Sequence, residues 1–230
     1  NLVEIASKYN VKNFTFISTD KAVRPTNIMG STKRFSEIYL QSLSEKLLGK
    51  MIITIVRFGN VFASRGSAVP LFISQVKNGG PVTITDKIIT RYFMSISEAV
   101  GLVLESSHIS LGGEVFVLNM GDPIKIYYLI KKIIQLSGFT EKTIEKPYGD
   151  IEVKSIGLRP GEKLHEELLI GNNPISTINK NIFKANENFI KFPEFLKELN
   201  DLKESYSDNN INKCIKILKN NTYLNTNVNR

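Results

Sequence analysis

A chain of 230 residues, 42% of them hydrophobic, is long enough to bury a substantial core in one or two domains. Its single cysteine, Cys214, excludes an internal disulfide and any multi-cysteine metal site and fits a reducing compartment; no apolar run approaches the roughly 18–20 residues that span a bilayer. The net charge of +8 would suit nucleic acid, but the lysines are scattered rather than gathered in a stripe and no aromatic-rich motif accompanies them, so no nucleic-acid partner is expected.

Strand and helix signals alternate along the chain, the pattern of an α/β protein. Residues 2–9 read as part of an amphipathic helix and Asn1 is no initiator, so the chain is expected to be a fragment. Residues 13–18 (NFTFIS) read as a buried strand, and Asn27 or Thr26 as the cap of a helix running to about Leu48 and ended by Gly49. The run 51–58 (MIITIVRF) is the continuous apolar kind that a parallel strand covered on both faces requires. A short helix at 70–77 is stopped by Gly79-Gly80-Pro81, and 82–85 and 91–94 are short strands. Ser95 or Ser97 opens a helix over 97–107, a strand follows at 114–119, and 124–136 has apolar residues at helical spacing. Residues 151–156 predict a strand, and 161–169 a helix with Pro160 just before its start. After Gly171 the chain turns Asn/Lys-rich and then predicts two helices, 193–206 and 209–219. No G-x-G-x-x-G turn occurs, so either this is not a dinucleotide-binding domain or that turn precedes Asn1.

Six motifs decide between those options: Ser18-Thr19-Asp20-Lys21, Met29-Gly30-Ser31-Thr32-Lys33-Arg34, Arg57-Phe58-Gly59-Asn60-Val61, Pro70-Leu71-Phe72, Thr90-Arg91-Tyr92-Phe93-Met94 and Leu158-Arg159-Pro160-Gly161-Glu162-Lys163. Together, in order and with family-like spacing up to about Ile170, they resemble the UDP-N-acetylglucosamine 4,6-dehydratases of bacterial polysaccharide and glycan biosynthesis. These are extended short-chain dehydrogenase/reductases, and the chain is similar to the C-terminal two-thirds of their catalytic domain. The resemblance implies a doubly wound, Rossmann-like parallel sheet whose N-terminal strands precede Asn1, with a smaller mixed α/β substrate domain. It assigns 1–66 and 96–120 to the dinucleotide-binding domain, 67–95 and 121–178 to the substrate domain, and 179–230 to a helical tail. NAD or NADP is the implied cofactor, held tightly in the full-length protein, and UDP-N-acetylglucosamine the implied substrate. The isolated fragment is expected to be inactive. A homo-oligomer is expected in the cytoplasm, with contact to the inner membrane only through a segment preceding Asn1.

In the implied reaction, the sugar's fourth carbon gives up hydride as its hydroxyl loses a proton. The resulting ketone acidifies the fifth carbon, whose deprotonation expels the hydroxyl of the sixth; the stored hydride then returns there. Such a cycle needs two bases and an acid. Thr19, Asp20 and Lys21 stand where a parallel strand ends, the edge at which such sheets bind ligands. Thr19 can hydrogen-bond the fourth hydroxyl, Lys21 is the candidate base at the fifth carbon, depressed in pKa by partial desolvation, and Asp20 the candidate acid if its own is raised. The last two roles can also be exchanged. A bare S-T-D-K stretch is most often a surface turn, and the other motifs reverse that weighting.

Lys33 matches the lysine of the family's Tyr-x-x-x-Lys pair and is expected to hold the nicotinamide ribose, with Ser18 beside the cofactor. Met29 takes the tyrosine's place. A methionine is ordinarily core filler, but a branch of these dehydratases carries it here, and that branch retains the configuration of the fifth carbon. The phenol's proton task then passes to another group, such as Asp20 through Thr19 or a water. By resemblance Asn60 lies near the sugar-phosphate, Arg91 and Arg159 take the diphosphate, and Glu162 accepts from the uridine ribose. Ser67, Pro70 and Leu71 line the nucleotide pocket, and Thr83, in 82–85, passes near the uracil. The plain reading of the two arginines is surface ion pairing. His108 and His165 read as non-catalytic, and no metal is expected. A nucleotide-sugar 4-epimerase, or a nucleotide-sugar-binding module without catalysis, remains an alternative; the Asp20-Lys21 pair favours the dehydratase, because epimerisation has no leaving group to protonate.

Overall fold

The computed structural model describes residues 1–62, 64, 66–170 and 173–223, the side chain of Tyr223 excepted. In chain order its elements begin with α1 (Leu2–Lys8), β1 (Asn13–Ile17), α2 (Ile28–Lys46), β2 (Ile52–Arg57), β3 (Asn60–Val61), α3 (Ala68–Lys77), β4 (Val82–Ile84), β5 (Thr90–Arg91) and β6 (Phe93–Met94). There follow α4 (Ile96–Ile109), β7 (Val115–Leu118), β8 (Ile124–Lys125), α5 (Ile126–Leu136), β9 (Glu141–Lys142), β10 (Ile151–Ser155), β11 (Ile175–Ser176), β12 (Ile182–Lys184), α6 (Phe192–Ser207) and α7 (Ile211–Tyr223). They gather into two units, the first comprising Asn1–Phe58, Ala99–Asn119 and the chain from Glu167 onward, the second Gly59–Glu98 and Met120–Glu166.

The first unit is built on a sheet of order β1-β2-β7-β12-β11, in which β1, β2 and β7 run parallel. The two central parallel strands read VFVL and IITIVR; every residue of β7 and all but Ile52 of β2 are buried, as strands covered on both faces must be. Helix α2 is the crossover between β1 and β2. It starts where the Asn27 side chain accepts the Gly30 N–H at 2.8 Å, satisfying a donor that the first turn leaves over. Leu40 and Leu43 of α2 pack with Val3, Met51, Ile53, Ile55, Val115 and Val117 against the sheet. The two C-terminal helices expected from sequence form as α6 and α7. Phe195 and Leu218 bury against Phe35 and Ile38 of α2, so the tail folds onto this unit.

The second unit has a three-stranded parallel sheet, β4-β10-β9, and two short pairs, β3 with β6 and β5 with β8. Its core forms where Ile126, Ile130, Ile133 and Ile134 put one face of α5 against Phe72, Val82, Ile84 and Ile151.

Two sequence expectations are corrected. No helix forms over 161–169. The Leu164 carbonyl accepts the Thr90 N–H at 3.0 Å and the Arg91 side chain at 3.2 Å, so the segment's backbone bonds to β5 instead of to its own next turn. The Asn/Lys-rich stretch after Gly171 contains β12, which pairs antiparallel to β7 from Ile182↔Leu118 to Lys184↔Phe116 and extends the parallel sheet.

Candidate active site

The candidate residues fall in both units. In the first, β1 stops at Ile17 and the chain turns over the end of β2: Ser18 N–H donates to the Val56 carbonyl at 2.7 Å, and Asp20 N–H to the Phe58 carbonyl at 3.2 Å. Asp20–Ala22 form a single 3-10 turn capped by Thr19, whose Oγ1 accepts the Lys21 N–H at 3.4 Å. The same hydroxyl donates to Asp20 Oδ1 at 2.8 Å, and Lys21 Nζ sits 2.9 Å from that oxygen. Asp20 is fully buried, and its Oδ2 has no hydrogen-bond partner among the described residues, whereas the Lys21 side chain keeps 26% of its surface exposed. A hydroxyl, a carboxyl and an amine therefore touch in sequence at the C-terminal end of a parallel strand.

Helix α2 starts against this turn. A Cβ on Gly30 would lie 2.2 Å from the Lys21 carbonyl oxygen, so only glycine permits the approach. Met29 is half-exposed in the first helical turn. One turn on, Lys33 Nζ donates to the Ile17 carbonyl at 2.9 Å and lies 4.6 Å from the Phe16 ring centre. An ammonium has three donors, and that carbonyl takes one, so Lys33 can also hold paired hydroxyls such as those of a ribose.

Ser18 is turned the other way. Its hydroxyl donates to Glu37 Oε1 at 2.6 Å, inside a cluster that the sequence reading missed. Arg57 grips Glu37 through Nε at 2.7 Å and Nη2 at 2.6 Å, and Glu187 through Nη1 at 2.6 Å and Nη2 at 2.9 Å. Arg34 Nη1 reaches both carboxylates, at 3.0 and 3.1 Å. None of the four side chains exceeds 4% exposure. Burial alone would raise the pKa of both glutamates, but the charge and hydrogen bonds of Arg57, with the charge of Arg34, hold both below the ordinary carboxylate value. The signal available in the sequence was Arg57 itself: an arginine closing an apolar strand is buried only if paired.

In the second unit, Asn60, Leu71, Thr83, Arg91, Arg159 and Glu162 line one cleft of about 190 Å³, with Phe72, Ile84, Ile89 and Ile126 as its apolar wall. Arg91 is nearly buried; its Nη1 donates to the Thr90 carbonyl at 2.7 Å, and its Nη2 lies 3.3 Å from Glu162 Oε1. Glu162 also accepts from Thr85 at 3.2 Å and from the Arg159 N–H at 3.1 Å, so one carboxylate ties both arginine positions to the cleft wall. Thr83 is held by Gln75 through two bonds, at 2.9 and 3.1 Å. Ser67 and Pro70 are not among the lining residues: Ser67 precedes α3 with its hydroxyl buried and without a partner among the described residues, and Pro70 is exposed on that helix. His165 Nδ1 lies 2.8 Å from Thr90 Oγ1. Among the described residues no group of His, Cys, Asp and Glu could hold a metal, and no helix is long and apolar enough to cross a membrane.

This architecture is the Rossmann-like one of nucleotide-sugar dehydratases and epimerases. Residues 1–187 match the family described as polysaccharide biosynthesis protein, and the chain belongs to that family. Over 74% of its length it is 52% identical to 27% of the capsular polysaccharide biosynthesis protein CapD of Staphylococcus aureus. It is 35% identical to the UDP-glucose 4-epimerase of Rickettsia canadensis, over 74% of this chain and 47% of that one. The crystal structure of Pen from Bacillus thuringiensis superposes with a TM-score of 0.65 at 36% identity, covering 73% of this chain and 50% of that one. The dTDP-glucose 4,6-dehydratase of Bacillus anthracis, solved in complex with NAD, shares the fold with a TM-score of 0.59 at 17% identity over 73% and 56% of the two chains. The chain thus spans about a quarter of the capsular relative and about half of the epimerase.

Proposed function

We propose that this chain carries the proton-transfer apparatus and the nucleotide cleft of an NAD-dependent UDP-N-acetylglucosamine 4,6-dehydratase. The observation that carries the proposal is the run of contacts from Thr19 Oγ1 to Asp20 Oδ1 to Lys21 Nζ. NAD, when bound, supplies a reversible hydride acceptor, and Lys33 is the residue of this chain suited to its ribose. Thr19 accepts the proton of the sugar's fourth hydroxyl as it gives its own to Asp20 across the 2.8 Å contact. Asp20, now a carboxylic acid without exposed surface, gives that proton back across the same contact, through the partly exposed Thr19 hydroxyl, to the hydroxyl that leaves the sixth carbon as water. Lys21 takes the proton from the fifth carbon and, its nitrogen-bound hydrogens exchanging with solvent, returns one to the same carbon. The balance closes: one proton leaves with the water, one returns to the fifth carbon, and Met29 is asked for nothing. Arg91 and Arg159 hold the diphosphate and Glu162 the uridine ribose, with Asn60, Leu71 and Thr83 along the nucleotide.

The 35% identity to a UDP-glucose 4-epimerase favours a second reading, inversion at the fourth carbon without elimination. Mass spectrometry of UDP-N-acetylglucosamine incubated with the full-length protein separates the two. A product lighter by one water supports the dehydratase; an isomer of unchanged mass overturns it in favour of the epimerase.

A further inference from the structure

The buried cluster beneath the catalytic turn has a role of its own. We propose that Glu37 and Arg57, with Arg34 and Glu187, act as positioning residues that set the Thr19-Asp20-Lys21 turn, and that Ser18 is their handle on it rather than a cofactor ligand. The inference rests on the dehydratase reading for its kinetic consequence, though not for its structural one.

Two of the bonds that anchor the turn lead into the cluster. At its start, Ser18 precedes Thr19 and donates to Glu37 Oε1 at 2.6 Å. At Asp20, the backbone N–H donates to the carbonyl of Phe58, the residue following Arg57, and the Arg57 guanidinium is clamped between Glu37 and Glu187. Arg34, adjacent to Lys33 on α2, ion-pairs with both glutamates. The ends of β1 and β2 and the first turns of α2 are thereby locked by one set of charges. Two arginines and two glutamates leave no net charge, and every charge pairs with two of opposite sign, while Arg34 Nε and Nη2 have no hydrogen-bond partner among the described residues. Glu187 brings in the segment after β12, far along the chain from the turn it helps to fix.

A cluster that only stabilised the fold would be indifferent to the turn's geometry. A positioning cluster gives a different signature, because small displacements at a reacting centre cost turnover more than binding. The test is Ser18→Ala in the full-length protein, which removes the handle and leaves all four charges paired; Glu187→Gln is the second variant, lowering the charge while keeping an acceptor for Arg57. The readouts are hydrogen exchange of the peptide covering 18–22, the thermal midpoint, and kcat and KM for UDP-N-acetylglucosamine. Both variants are expected to speed exchange at 19–22 while exchange in β2 is unchanged, and to lower kcat about tenfold or more with KM within about twofold. Wild-type exchange at 19–22 in both variants overturns the proposal. So does a fall in midpoint with unchanged kcat. If the wild-type protein shows no dehydration, the functional reading fails by itself, and the exchange experiment still decides the positioning role.

Discussion

Asp20 has no exposed surface and one oxygen without a hydrogen-bond partner among the described residues, an expensive arrangement unless neighbours bond to the other. Lys21 and Thr19 are those neighbours, so replacing any of the three should act on chemistry before affinity. Lys21→Ala and Asp20→Asn are each expected to lower kcat by about a hundredfold or more, leaving UDP affinity by calorimetry within about threefold. Arg159→Ala should do the reverse and weaken UDP binding. Near-wild-type turnover in Lys21→Ala would remove it from the role of base. Gly30 gives a purely structural prediction. Replacing a helical glycine with alanine ordinarily gains about 1 kcal/mol, but here the new Cβ would lie 2.2 Å from the Lys21 carbonyl oxygen. The clash outweighs the propensity, so Gly30→Ala should lower stability by about 1–3 kcal/mol, read as a lower thermal midpoint; an unchanged or higher midpoint contradicts the packing described.

At the scale of elements, the junction of β1, β2 and α2 should confer a particular response to acid. Glu37 and Glu187 are held below the ordinary carboxylate pKa of 4.5 despite their burial, by Arg57 first and Arg34 with it. In the unfolded chain both return to that ordinary value, so there the unfolded state binds more protons than the native one. Their contribution to stability is therefore complete above about pH 5 and is lost as the pH falls through the carboxylate range and below. Thermal midpoints measured from neutral to acid should stay level and then drop, and the acid drop should be shallower in Glu187→Gln. A midpoint that rises on acidification, or an identical drop in the variant, would show that the pair is not held as described. These charges were not legible as a cluster because their partners are scattered: Ser18, Glu37, Arg57 and Glu187 meet only once the sheet has formed. By contrast the Asn27 cap, the apolar run of β2 and the periodic face of α5 depend on neighbours within one or two turns, and each lies where the sequence puts it.

At the scale of the whole molecule, the α/β class and the parallel strands followed from alternating patterns, whereas β12 and the 161–169 segment did not. β12 has three residues and depends on a partner, β7, more than sixty positions earlier. The helical pattern of 161–169 yields to long-range bonds from Thr90 and Arg91. The candidate site divides in the same way. Asn60, Thr83, Arg91, Arg159 and Glu162 come together in one cleft, and Thr19, Asp20 and Lys21 form one turn, but Ser18 points into the charge cluster and Ser67 and Pro70 stand outside the cleft. The central claim is that this turn runs an elimination with one base working on one face. Deprotonation leaves the fifth carbon planar, and a single amine that takes the proton, exchanges its hydrogens with solvent and returns one from the same side retains its configuration, whereas inversion needs an acid opposite, which Met29 cannot be. The most direct test is proton NMR of UDP-N-acetylglucosamine turned over by the full-length protein in heavy water. The expected product is UDP-2-acetamido-2,6-dideoxy-4-keto-D-glucose carrying one solvent deuteron at the fifth carbon. The inverted L-configured sugar would contradict the single-base account, and the absence of any 6-deoxy product would contradict the dehydratase itself.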